Sequence, residues 1–561
     1  MFFFLCLQIP WIISFVASFS PAFLNVSLAR QTFRSSFRLP TISFALYIAI
    51  VLFLGISLFQ VTITDGIQTP WRNNYGDLAF HVGMITSFVW GDNFPPQYHL
   101  FAGTSLSYPF LINFWTATLW WIHPTFQTLK IIFVFQWCIL WSIVYFALDG
   151  DRQRLLPWAA LFGGGSWLTL GQETSALISQ GYPWAPFLST IWVTQRSAIF
   201  GAAVSLAAIQ FYHTQFKQTD RKSEALILGT LLGLMPLVHT HMFIVTTGYI
   251  FLCSVFKLIQ TRIVRWKGDV PHESIQTEVS LFKFLKCFSV GLVISVVSIP
   301  WLIGKSGIVS FSTGWMPWHL AHSGYSSEFI NLALMWVANA HSWILLLVAL
   351  WIASRVHIAV LSIVVIWLIG NFVQLSVWDW DQIKFFIALY LITLSLWSEY
   401  IQKRAFWAEA LLIVSIMPST FDVISNFVNF HENTVYTSHE ISDAEKIRKF
   451  TPANAVFLAK PDHNSIITLT GRRLYFGYEG TLHSHGLNYQ DRRKSFVILQ
   501  KAVDCSESIS FKPCPTHLLW TKREWQYWKS VTPSQIDGLK KTPFKFLYEI
   551  DKRRQNHKAL Q

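Results

Sequence analysis

Apolar runs of roughly bilayer length, parted by short polar loops, fill the chain from residue 41 to residue 424. They fall at 41–63, 104–122, 129–148, 155–170, 191–213, 224–258, 287–304, 329–353, 356–377, 383–402 and 405–424. A helix needs about 20 apolar residues to cross a bilayer, so most of these runs predict one crossing each. With a rise of about 1.5 Å per residue, 224–258 is too long for one crossing; it predicts two, turning near Pro236 and 239-HTH-241. Beyond 426 charges appear throughout, with short alternating segments such as 454-NAVFLAK-460, 465-SIITLT-470 and 473-RLYFGY-478 that read as strands. The expected fold class is an all-α polytopic membrane protein, of about 10–12 transmembrane helices, with a small C-terminal α/β soluble domain.

Positive loops mark the cytoplasmic side and so orient the runs. Arg30, Arg34 and Arg38 precede 41–63, which then leads outward and makes 64–103 an external loop. Lys217, Arg221 and Lys222 close the run 191–213 inside, as do Arg262, Arg265, Lys267, Lys283 and Lys286 after 224–258. Alternation from there through Arg355, Lys403 and Arg404 leaves the tail outside. Between 104 and 213 the alternation fails, so one element there is re-entrant or a further crossing lies within 171–190. Three regions are expected: an apolar or interfacial segment with a basic cytoplasmic linker (1–38), a transmembrane domain (39–425) and an extracytoplasmic domain (426–561). Residues 1–27 lack the basic start of a signal peptide and read as a membrane or interfacial segment. No internal repeat is visible, which weighs against inverted-repeat transporter folds.

Composition agrees: 52% of the 561 residues are hydrophobic and 13% charged, with a mean hydropathy of +0.39, too little polar surface for a soluble globule of this size. The formal charge of +13 would suggest nucleic acid in a soluble protein. Here the Lys and Arg sit in short loops between spans, which excludes that partner. The host membrane is the plasma (inner) membrane in a bacterium or the endoplasmic reticulum in a eukaryote, and 25-NVS-27 is too short a motif to decide. Six cysteines show no CxxC; only Cys505 and Cys514 make a local disulfide pair, given an external tail.

The orientation sends ionisable residues from separate segments to one face, where such groups are functional candidates. Asp65 and Asp77 lie in the first external loop, Asp77 within 75-YGDLAFHVGMITSFVWGDNFPP-96, and His81 follows it by one helical turn. Arg196 sits near an outer helix end, His239 and His241 at an outer turn, and 378-WDWDQIK-384 sets Asp379, Asp381 and Lys384 at a helix mouth. Each has a structural alternative. Asp65 can end a helix, Asp77 can N-cap the amphipathic stretch 78–90, and His81 can be a packed histidine. Asp381 and Lys384 have i,i+3 ion-pair spacing. Arg196 can pair or snorkel. The two histidines, two residues apart, make a poor metal pair.

An outward crossing, a long acidic external loop with an amphipathic helix, many further crossings and a soluble external tail together resemble the GT-C superfamily of membrane glycosyltransferases. The segments 195-QRSAIFG-201, 233-GLMPLVHTHMF-243, 378-WDWDQIK-384 and 471-GRRLYFGYEGTLHSHGLNY-489 also look like a less characterised GT-C-like polytopic group. The resemblance covers about 41–495 and implies a polyprenyl-phosphate sugar donor, a glycan, lipid or protein acceptor, and inversion at the anomeric centre. Protein mannosyltransferases carry adjacent acidic residues in the first loop, whereas Gly76 precedes Asp77 here. The carry-over therefore favours Asp77 as base on position, with Asp65 competing and His81 orienting. It implies Arg196 and Lys384 on the donor phosphate, and Asp379, Asp381, His239, His241 and Arg472 around the substrate. Arg473, His483 and His485 would cover the site. Some family members require a divalent metal; the residues here make no convincing site, and no cofactor is assigned. Rival readings are a transporter or flippase of lipid-linked sugars, a scaffold, and another lipid-phosphate transferase.

Overall fold

The computed structural model describes residues 42–550 apart from 63–64, 149–152, 168–183, 215–221, 267–284, 287, 294, 297–309, 312–327, 353–356, 402–404, 429–432, 500–512, 529–531 and 537. The N-terminal segment 1–38, most of 287–304 and Cys505 lie outside the described residues.

Helices dominate. In order they are α1 (Ile42–Leu58), α2 (Asn74–Trp90), α3 (Leu111–Trp120), α4 (Phe126–Ala147), α5 (Leu156–Leu161), α6 (Arg196–Thr214), α7 (Lys222–Val238), α8 (Thr240–Trp266), α9 (Glu328–Ile352), α10 (His357–Phe372), α11 (Ile383–Ile401) and α12 (Ala405–Val428). Among the described residues four helices are long and apolar enough to cross a membrane, at 126–147, 240–263, 332–352 and 406–428; shorter apolar helices lie at 42–58, 226–238 and 357–372. Their outward faces expose Leu46, Phe53, Ile131, Phe135, Val337, Leu345, Leu361 and Leu368. Lipid is the solvent for such faces, since nothing polar on them needs water. The run 224–258 divides at His239 as its length required.

Within 104–213, where the alternation fails, residues 171–183 lie outside the described residues; α3 is a short element of that stretch. With 10 residues it is only about 15 Å long, half a bilayer, and it packs along α2 through Phe114 on Phe88 and Asn113 on His81. α4 then runs antiparallel to α1, with Trp137 Nε1 donating to Val51 O and Tyr145 OH to Ser43 Oγ.

The hairpin β1 (Gln60–Thr62) and β2 (Gly66–Thr69) follows α1, β3 (Ser310–Phe311) pairs antiparallel with β4 (Val373–Gln374), and β2 pairs antiparallel with β5 (Asn433–Tyr436), 364 residues on from Thr69 to Asn433 in their shared register. The tail is thus sewn to the first loop. After β5 come α13 (Ser438–Phe450), started by a Thr437/Glu440 capping box, and a five-stranded sheet. Its order is β7 (Arg473–Leu474), β6 (Val456–Leu458), β8 (His517–Leu519), β10 (Leu547–Ile550), β9 (Leu539–Lys541), parallel across β7-β6-β8 and antiparallel beyond. The strand expected at 465–470 is instead a 3-10 turn, Ile466–Leu469. Thr468 and Thr470 donate to Ser465 O and Ile467 O, local bonds that replace a sheet ladder.

The fold's centre is α2, the amphipathic helix expected in the first external loop. It is buried over Leu78–Ser87. Leu78, Ala79, Val82 and Ile85 join the core of the membrane helices, while Phe80 and Met84 join the core of the C-terminal domain. The polar side of the stretch is covered by protein, not water: Thr86 Oγ1 donates to Thr468 O at 2.5 Å. Contact is close enough to exclude side chains. A Cβ on Gly83 would stand 2.6 Å from His99 Nε2, and one on Gly91 would stand 1.9 Å from Gly471 O. Gly471 itself has φ +77, a left-handed conformation that suits glycine.

Gly91→Ala is therefore expected to force backbone apart and cost on the order of 2–4 kcal/mol, read as a lowered apparent Tm of the purified protein. Gly248→Ala, whose methyl would meet nothing nearer than Ile366 Cδ1 at 3.8 Å, is the control and should leave the Tm unchanged.

Candidate functional site

Asp77 lies in the first turn of α2; the N-cap position is Asn73, so Asp77 is not the cap. Among the described residues its carboxylate has no hydrogen bond or ion pair, and it is half-buried. Burial pushes it up to about 7; Lys384 opposes the rise and Asp381 adds to it. Those two charges come from the start of α11, where Lys384 Nζ meets Asp381 Oδ1 at 2.8 Å in the i,i+3 pair that the spacing allowed. Gln382 fixes this corner by donating to Gly370 O (3.0 Å) and Val373 O (2.8 Å) and accepting from Leu375 N (3.1 Å). The side chain of Asp379 lies outside the described residues.

Arg196 opens α6 directly after a π-helical turn, Leu188–Trp192. Its Nη2 donates to Thr116 Oγ1 at 3.0 Å and to Gln136 Oε1, and its Cζ lies 3.5 Å over the Phe133 ring. Nη1 is sealed and unpartnered. His81 does not orient Asp77. Its Nδ1 is 3.1 Å from Asn113 Nδ2, and its Nε2 is sealed without a partner. Burial, reinforced by Arg196, takes His81 down to about 3, so the ring is neutral at physiological pH.

Three groups beside these were not singled out from the sequence. His99 is fully buried with both ring nitrogens unpartnered. Tyr108, held by a hydrogen bond to Ser197, feels both Asp77 and Asp381. Asn113 positions His81. His485, expected only to cover the site, stacks on Tyr108 at 4.6 Å and stands 5.1 Å from Phe80. Burial lowers it to about 4, with Asp381 opposing and Lys384 adding. Loops, α3 and the distant tail supply these groups, and no local pattern links them.

His241 is half-buried and within reach of the Lys384 and Asp381 charges, whereas His239 caps α8, accepting from Met242 N at 3.3 Å. The structure thus gathers Asp77, His81, Arg196, His241, Asp381, Lys384 and His485. Asp65 stands apart in the exposed β1-β2 turn, accepting from Thr62 Oγ1 at 3.2 Å. Arg472 does not join either. Its guanidinium is consumed by Trp90 O, Thr470 O, Arg448 O, Thr451 O and Thr451 Oγ1, which locks the tail to the end of α2. Arg473 donates to Asp92 O at 2.8 Å and His483 is exposed. Among the described residues no three His, Cys, Asp or Glu side chains could hold a metal ion.

No family model and no curated protein matches the chain. Among solved structures it is similar to an oligosaccharyltransferase from Archaeoglobus fulgidus in complex with Zn and sulfate, at 9% identity and a TM-score of 0.41, covering 84% of this chain and 67% of that one. It is also similar to archaeal oligosaccharyltransferase AglB from the same organism, in complex with an inhibitory peptide and a dolichol-phosphate, at 10% identity and a TM-score of 0.41, covering 84% of this chain and 68% of that one. Likeness at this depth leaves function to be argued from the site.

The raised Asp77 has a thermodynamic consequence. Folded Asp77 keeps its proton to about 7, against 3.8 for an unperturbed carboxyl. Between these values the folded state binds the extra proton, so stability falls as pH rises and the full cost of the buried charge stands above about 7. Asp77→Asn should therefore raise the apparent Tm by roughly 2–6 °C at pH 8, the gain closing as the pH falls toward about 4. Thermal unfolding of both proteins across that range is the check.

Proposed function

We propose that this protein is a membrane glycosyltransferase of GT-C type, moving a sugar from a polyprenyl-phosphate donor to an acceptor hydroxyl at the extracytoplasmic face. The observation that carries this reading is Asp77: an uncommitted, half-buried carboxylate pushed up to about 7, within reach of the Asp381–Lys384 ion pair, at the junction of apolar helices and a polar domain. A base poised near the working pH is the form a general base takes.

In the reaction, Asp77 takes the proton of the acceptor hydroxyl as its oxygen bonds to the anomeric carbon. The bond from that carbon to the phosphate oxygen breaks in the same displacement, inverting the centre. The lipid phosphate leaves with its charge held by Arg196 and by Lys384, which Asp381 keeps in place. His241, Tyr108 and His485 are hydrogen-bonding groups suited to sugar hydroxyls, and the acceptor is a glycan, lipid or protein.

The outer-face assignment draws on loop charge and on Cys514, which is disulfide-bonded to a partner outside the described residues. Disulfides persist in oxidising compartments. The membrane is then the inner membrane of a bacterium or the endoplasmic reticulum.

The test is release of polyprenyl phosphate from a panel of polyprenyl-phosphate sugars by the purified protein. Asp77→Asn should lower the rate by about 100-fold or more, Asp65→Asn should stay within about threefold of wild type, and the wild-type rate should climb with pH through about 7. An active Asp77→Asn protein would move the base elsewhere. Movement of intact lipid-linked sugar across liposomes without turnover would replace the enzyme with a carrier.

A further inference from the structure

α2 begins without a cap of its own. Asn73, at the N-cap position, makes no side-chain capping bond, and a helix start of that kind frays unless tertiary contacts hold it. Asp77 lies in that first turn, so whatever packs there sets where its carboxylate stands. The membrane helices supply part of the grip: Asn74 Nδ2 donates to Leu58 O at 3.0 Å and Asn73 Nδ2 to Ser189 O at 3.4 Å.

The C-terminal domain supplies the rest. Tyr75 is within reach of the charges on Arg523, Asp462 and Glu440, and Gly76 meets His463. A Cβ at residue 76 would stand 2.7 Å from His463 Nδ1, 2.9 Å from Cε1 and 3.3 Å from Cγ. The imidazole thus lies where a side chain at that position would be. Tyr478 backs the ring at 3.5 Å between centroids, and a Cβ on Gly480 would come 2.5 Å from Tyr478 Cε1. Two half-buried rings are held between two glycines, one of them next to Asp77 in the chain.

This contact ends a longer docking. Gly76 and Gly83 are seven residues apart, about two helical turns, and share one face of α2. A Cβ on Gly83 would be 2.9 Å from Thr468 Cβ, so the segment 463–468 follows that face, with the bond from Thr86 to Thr468 O just beyond. The charges acting on Asp77 are those of Lys384 and Asp381, and Tyr108 faces it. His463 is not among them. Burial holds its ring below the ordinary histidine value, with Asp462 opposing, and its influence on the carboxylate runs through packing.

We propose that His463 is the positioning residue through which the C-terminal domain fixes the first turn of α2 and keeps water from Asp77. That Asp77 then serves as a base rests on the transferase reading; the packing does not.

Thermal unfolding of the full-length protein in nanodiscs reads the packing without any turnover. Gly76→Ala should lower the apparent Tm of wild type by about 2–4 °C. In a His463→Ala background it should leave the Tm unchanged or higher, because the methyl then has room and alanine favours the helix. At pH 8 the Tm gain from Asp77→Asn should fall to about half or less in His463→Ala, where water reaches the carboxylate. It should keep its wild-type size in His463→Asn, whose planar amide stands in for the inner atoms of the ring. With polyprenyl-phosphate sugars, His463→Ala should lower kcat about 10-fold and leave the donor KM within about threefold. The rise of its rate with pH should move below the wild-type value of about 7. No Tm loss from Gly76→Ala in wild type, an equal loss in both backgrounds, or an Asp77→Asn gain that is missing from wild type or indifferent to His463→Ala each overturns the proposal. Coupled Tm shifts with no sugar donor turned over by wild type would sink the transferase reading and leave the positioning role standing. Turnover that needs Asp77, with no such coupling, does the reverse.

Discussion

Everything at the candidate site depends on one helix being buried on both sides. α2 gives Leu78, Val82 and Ile85 to the membrane core and Phe80 and Met84 to the core of the C-terminal domain. Two bodies that approach one helix this closely leave little room for side chains between them, which is why glycine stands at Gly83 and Gly91. The same closeness excludes water from around His81 and raises Asp77. Loss of solvation disfavours whichever form carries charge, so one packing event makes the carboxylate a base near neutrality and keeps the imidazole neutral.

The polar groups around α2 divide by whether they are spent. Arg472 is consumed on backbone carbonyls at the helix end, Gln382 on the loop before α11, His239 on the start of α8, and Asp381 on Lys384. These commitments make the site rigid. Among the described residues the Asp77 carboxylate, Arg196 Nη1, Gln136 Nε2 and His81 Nε2 are unspent. In a low-dielectric setting an unspent donor or carboxylate is costly to the fold and strong toward a ligand, and preorganised sites accept that cost.

The spans were legible because a membrane crossing demands a long apolar run, and the ion pair of Asp381 and Lys384 because both partners lie within one turn. Short-range signals failed where the partner was remote. The stretch 465–470 alternates like a strand, yet it turns as a 3-10 helix against α2. The amphipathic pattern of 78–90 suggested a surface helix, because a sequence cannot say whether protein or water covers a polar face.

By itself the sequence determined a helical membrane protein with an α/β tail, since hydropathy acts locally, and supplied a list of candidate ionisable residues. Only the tertiary structure decided which of them meet. It brought Tyr108 within reach of Asp77, set His99 and His485 against Phe80, left Asp65 in an exposed turn, and turned Arg472 into a lock. Those outcomes depend on burial and on contacts between residues hundreds of positions apart, and such contacts leave no periodicity in the chain.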